Sequence, residues 1–68
     1  MSITDLQRRI LVDVSDGEWR RLVPRYPAAT VTRLGRAELL RCDFSYLRSD
    51  EKRWTITPDG LQALEASA

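Results

Sequence analysis

Histidine is absent and cysteine occurs once, at Cys42, in a chain of 68 residues. No disulfide can form within the chain, and a zinc site has no set of nitrogen and sulfur ligands to draw on. The same absences remove Cys/His and Ser/His/Asp nucleophilic catalysis. Neither a phosphate-binding glycine loop nor a metal-ligand motif is present, so no enzyme, cofactor or metal is expected. Long apolar runs are missing too. None approaches the ~20 residues of a membrane span. The opening Met1-Ser2-Ile3-Thr4-Asp5 is acidic where a secretory signal is basic. A cytoplasmic protein without membrane contact is expected.

The composition that remains is globular, with 43% hydrophobic and 31% charged residues. So short a chain makes one domain, residues 1–68. Its core supplies only ~3–5 kcal/mol, which leaves a thin margin.

The formal charge of +1 is unevenly spread. Residues 1–19 set Arg8 and Arg9 against four acids, a net −2. Residues 20–53 carry nine cations against Glu38, Asp43, Asp50 and Glu51, a net +5. Residues 54–68 hold only Asp59 and Glu65, again −2. Ten of the eleven basic residues are arginine. Arginine binds phosphate and guanine in two-point fashion. A genome rich in arginine codons would leave the same excess.

Hydrophobic spacing predicts the elements. Ile3, Leu6, Ile10, Leu11 and Val14 recur at helical intervals, with Ser2 and Asp5 as a cap, which predicts a first helix over residues 3–14. Val12 falls off the pattern. Ser15-Asp16-Gly17-Glu18 has capping-box spacing, and Trp19, Leu22, Val23 and Tyr26 follow at i, i+3, i+4 and i+7. This predicts a second short helix, stopped by Pro24 and Pro27. A third helix is expected from Pro27 or Ala28, about 28–40, with Val31 and Leu34 inward. Thr30, Thr32, Arg33 and Arg36 then face outward. Gly35 either ends that helix or admits a close neighbour.

Leu40, Cys42, Phe44 and Tyr46 alternate with polar residues, and Trp54 and Ile56 alternate with Thr55 and Thr57. Period two predicts a hairpin that turns near residues 50–51. Arg48, Lys52 and Arg53 flank the turn, where they suit a phosphate backbone or the charged edge any exposed hairpin uses. Cys42 reads as a small core residue. Thr57-Pro58-Asp59-Gly60 is a helix start, and Leu61 and Leu64 are expected to pack inward. The expected core is Trp19, Leu22, Val31, Leu34, Phe44, Ile56, Leu61 and Leu64.

Three helices, a basic hairpin and a C-terminal helix follow the order of a winged helix-turn-helix domain, of the α+β class. Thr30-Val31-Thr32-Arg33-Leu34 resembles the start of the recognition helix in MarR-type regulators. Arg48-Ser49-Asp50-Glu51-Lys52-Arg53 is similar to their wing. Trp54-Thr55-Ile56-Thr57-Pro58-Asp59-Gly60 with Leu61 and Leu64 looks like the strand-to-helix exit of many winged-helix families. The resemblance is best over residues 28–64. It implies that Thr30, Thr32, Arg33 and Arg36 read the major groove of double-stranded DNA. Arg48, Lys52 and Arg53 would then contact backbone or minor groove from the wing at 48–53. The long flanking helices of MarR-type chains have no room here, so no small-molecule sensor is implied. A transcriptional regulator of phage or mobile-element type, acting as a homodimer on two half-sites, is the leading expectation. A protein-binding winged helix docked on a larger complex is the alternative. An exposed apolar patch, with Tyr26, Leu47 or Trp54 as candidates, would mark it.

Overall fold

The first helix, α1 (Asp5–Asp13), starts two residues later than the sequence suggests. In the computed structural model, which describes residues 3–44, 48 and 50–67, the capping residue is Thr4. Its hydroxyl accepts from the Gln7 N–H at 3.1 Å, and the Gln7 side chain accepts from the Thr4 N–H at 3.0 Å. Ser2, the expected cap, lies outside the described residues. Ile10, Leu11 and Val14 are fully buried, whereas Leu6 is on the surface with Val12.

The expected second helix does not form. Ser15 bonds back to the Val12 carbonyl at 2.8 Å instead of capping forward. Gly17 turns the chain at φ +84°. Arg20 is then extended: its N–H donates to the Trp54 carbonyl at 3.0 Å, and the Trp54 N–H donates to the Arg20 carbonyl at 2.8 Å. A turn through residues 23–25 follows, with a cis Val23–Pro24 bond. The helical spacing of Trp19, Leu22, Val23 and Tyr26 was coincidental. Leu22 is buried, but Trp19 is 41% exposed. Helical propensity loses here because a sheet partner, Trp54, satisfies the backbone of Arg20, and Pro24 and Pro27 offer no N–H to a helix.

The described residues therefore contain three helices, not four. After α1 come α2 (Ala28–Arg36), β1 (Leu40–Cys42), β2 (Trp54–Ile56) and α3 (Pro58–Ser67). The protein is a small α+β fold with a two-stranded antiparallel sheet, paired Leu40 with Ile56, Arg41 with Thr55 and Cys42 with Trp54. The bridge at Arg20 adds a third extended segment on the other side of β2.

Helix α2 stops at Arg36, four residues short of the expected end. The Leu39 N–H donates to Leu34 O at 3.0 Å and the Glu38 N–H to Gly35 O at 3.1 Å, with Glu38 at φ +64°. That is a Schellman ending, which normally has glycine at the left-handed position. Leu39, just beyond, is buried in the same cluster as Leu34. Gly35 is inside the helix and admits a close neighbour: a Cβ there would stand 2.8 Å from the Trp54 ring.

The exit into α3 follows the sequence. The Thr57 hydroxyl accepts from the Gly60 N–H at 3.0 Å and donates to Glu38 O at 2.6 Å, so one side chain caps α3 and ties it to the end of α2. Gly60 packs against the Leu39 carbonyl and Ile56. Leu64 is half-buried against the core, but Leu61 and Phe44, both expected inside, are 42% and 52% exposed. Leu61 is displaced because Gly60 takes the innermost place on α3. The remaining core is Ile10, Leu11, Val14, Leu22, Val31, Leu34, Leu39, Leu40, Trp54 and Ile56. Each aliphatic member contributes roughly 1.5–3 kcal/mol on burial. Tyr46, Leu47 and Ser49 of the expected hairpin lie outside the described residues.

Two substitutions should move stability in opposite directions. Gly60→Ala puts a methyl group 2.6 Å from Ile56 Cγ1 and against a backbone carbonyl. It should cost about 1–3 kcal/mol by overpacking. Glu38→Gly relieves a left-handed residue and should stabilise by about 1 kcal/mol. Urea midpoints of the two variants check both signs.

Candidate nucleic-acid interface

Helix α2 and the strand that follows it carry three cations that the fold leaves uncommitted, Arg33, Arg36 and Arg41. Arg33 and Arg36 lie in the last turn of α2, where positive charge complements the carbonyl end of the helix. Both are exposed, and neither guanidinium has a hydrogen bond or an acidic partner among the described residues. Thr32 stands one turn before Arg36 on the same side. Thr30 and Thr32 are half-buried, so their hydroxyls sit lower on the helix than the arginines. Ala28 and Ala29, small residues at the start of α2, leave an open hollow of about 370 Å³ that Thr32, Arg33 and Arg36 border.

A larger groove, about 800 Å³, runs from α2 past β1 to the start of α3. Thr32 and Arg36 line it as well, so the two hollows share a wall on α2. Arg41 and Cys42 form the β1 side of the groove. Arg41 is exposed and its guanidinium has no acidic partner among the described residues. Sequence reasoning missed it. The available signal was its place on the polar phase of the Leu40–Cys42 alternation, five residues after Arg36. Glu38 and Asp59 are the acids on the rim.

The wing cations are placed differently. Arg48 Nε faces Asp50 at 3.7 Å and Glu51 at 3.9 Å. Arg53 Nε faces Asp43 at 3.6 Å. Lys52 Nζ stands 5.9 Å from the centroid of the Trp54 ring, a cation–π contact. The hairpin thus brings Arg48, Lys52 and Arg53 into one region, but each has a partner already. Asp43 is the anchor of that region. Its carboxylate accepts from the Arg53 N–H at 3.0 Å and the Phe44 N–H at 2.9 Å, and the first of these chiefly lowers its pKa.

Two other members of the basic block serve the scaffold. Arg20 grips both Asp16 carboxylate oxygens, at 2.7 and 2.9 Å, and the Asp13 carbonyl at 2.7 Å. The Arg20 guanidinium, aided by the Glu18 N–H, holds the Asp16 carboxyl at about 2, against an ordinary 3.8. Arg25 pairs with Asp13 at 3.0 Å, and the Tyr26 hydroxyl donates to the same carboxylate at 2.8 Å. Burial, followed by that hydrogen bond, raises the Tyr26 pKa. Of the nine block cations, Arg20, Arg25, Arg48 and Arg53 have acidic partners. Arg21, Arg33, Arg36 and Arg41 have none among the described residues. Comparison with family models, curated proteins and solved structures finds no match to this chain. Among the described residues no helix is long and apolar enough to cross a membrane.

The carboxylates set an acid limit. Asp16 and Asp43 both have folded pKa values below their ordinary value, so the unfolded chain takes up protons first as pH falls. Their contribution is complete above the unfolded pKa near 3.8 and disappears as pH drops toward the folded value, about 2 for Asp16. The urea midpoint should therefore fall between pH 4 and pH 2. Asp16→Asn should flatten part of that slope.

Proposed function

We propose that the protein is a reduced winged-helix DNA-binding module, acting in the cytoplasm as a small transcriptional regulator. In this reading an extended segment and a turn replace the second helix, α2 enters the major groove, and the hairpin lies along the backbone. The observation that carries it is the row Thr32, Arg33 and Arg36 on α2. The guanidiniums there have no acidic partner among the described residues, while the scaffold cations are paired. A surface with no anionic ligand normally mixes both signs. Guanidinium groups on a short exposed helix suit guanine edges and phosphates.

The wing has a smaller share in this reading than the α2 row. Arg48 and Arg53 face acids, so part of their charge is already compensated. A homodimer would supply the two half-sites that specificity requires of so small a module. The second reading, docking on a protein, rests on Phe44 and Leu61, which are large, apolar and exposed.

The test is a set of anisotropy titrations at graded salt, on a random-sequence duplex and on a site selected from it. Arg33→Ala or Arg36→Ala should weaken the selected site by about tenfold, the loss of a two-point base contact of ~1–3 kcal/mol. Arg48→Ala, whose guanidinium already faces Asp50 and Glu51, should change it less than about threefold. Duplex affinity weaker than ~0.1 mM at physiological salt would end the DNA reading in favour of the docking one.

A further inference from the structure

The sheet has a second face. The backbone of Arg20 pairs with Trp54, and its side chain turns to α1, where it meets Asp13 and Asp16. Side chains alternate along extended chain, so Trp19 and Arg21 lie on the opposite face. On β2 the Trp54 ring packs against Gly35 of α2, which leaves Arg53 and Thr55 on that same opposite face. Arg41 pairs with Thr55 and joins them. The face away from α2 thus carries Trp19, Arg21, Arg41 and Arg53 around Thr55.

Three properties mark this face. Trp19 is 41% exposed, although an indole in a small domain is ordinarily driven inward. Arg21 and Arg41 have no acidic partner among the described residues, and Arg53 has only Asp43 at 3.6 Å. Thr55 is 6% exposed, and its hydroxyl has no hydrogen-bond partner among the described residues. Arg21 and Arg41 are two strands across and two residues along from each other, roughly 12 Å at the usual spacings. An exposed aromatic ring among arginines suits a ligand that alternates flat bases with phosphates.

We propose that this face binds single-stranded nucleic acid, with one base stacked on Trp19 and the phosphates held by Arg21, Arg41 and Arg53. A single strand is favoured over a duplex because bases in a duplex already cover each other's faces. It is favoured over an acidic peptide because carboxylates would use the arginines and leave the indole without a flat partner. The proposal does not depend on the duplex reading of α2, since α2 lies on the other side of the sheet.

The experiment titrates the full chain with a twelve-nucleotide oligothymidylate and with an abasic strand of the same length, following tryptophan emission and anisotropy. Wild type should bind the thymidylate with quenching, and the abasic strand more weakly. Trp19→Ala should lose the quenching and about tenfold in affinity. Trp19→Phe, which keeps a ring and guards against a folding defect, should lose the quenching and retain most of the affinity. Arg21→Ala should lower the salt slope by about 0.7 for the phosphate contact it removes. Binding should persist in the R33A/R36A double variant even if duplex binding is lost. The proposal falls if thymidylate and abasic strand bind equally, if Trp19→Ala changes affinity less than twofold, or if R33A/R36A abolishes single-strand binding. It also falls if an oligoglutamate peptide binds as tightly with the same dependence on Trp19. Failure of duplex binding alone removes the α2 reading and leaves this one standing.

Discussion

Trp54 is the contact on which the other elements depend. Its backbone pairs with Arg20 and lies beside Cys42, so it is the middle residue of the sheet. Its ring takes the space that a side chain at position 35 would occupy, which lets α2 sit down on the hairpin. Lys52 closes over the ring from the wing. The placement has a cost, because the indole N–H is buried with no partner among the described residues. A smaller residue at 54 would leave α2 without the surface it rests on. The segment before α2 would also lose the sheet edge that keeps it extended.

A second tie sits at the other end of α2. Thr57 joins the Glu38 carbonyl to the first turn of α3, and Gly60 lets that turn approach the Leu39 carbonyl and Ile56. The C-terminus of α2 is therefore held by both the hairpin and α3. The Arg8 guanidinium donates to the Ser67 carbonyl and joins α3 to α1. These ties are short polar contacts around a core of aliphatic side chains, and they set the angle at which Arg33 and Arg36 face solvent.

The charges divide along the same lines. Acids of the first segment, Asp13 and Asp16, hold Arg20 and Arg25 and so fix the connection into α2. The hairpin acids hold Arg48 and Arg53. What the sequence shows as one basic block is thus two things, a set of cations used in folding and a set left over. The leftover set, Arg21, Arg33, Arg36 and Arg41, is the one on which both proposals chiefly draw. Arg33 and Arg36 were legible because they share a face of a well-marked helix. Arg21 and Arg41 were not, because their meaning depends on which strand each neighbours.

Local chemistry determined α1, the body of α2, the two alternating segments of the hairpin and the start of α3. Each rests on signals within a few residues: a capping hydroxyl, apolar spacing, a proline at a helix start. Tertiary structure alone decided the segment from Ser15 to Tyr26, the end of α2 and the places of Trp19, Phe44 and Leu61. At Arg20 the deciding partner is 34 residues away, and a backbone bond to Trp54 outweighs a helical pattern that looked complete. At Glu38 the left-handed turn is held by Leu39 entering the core and Thr57 reaching across from α3. Spacing along the chain carries no trace of either contact, because both depend on where distant residues come to rest.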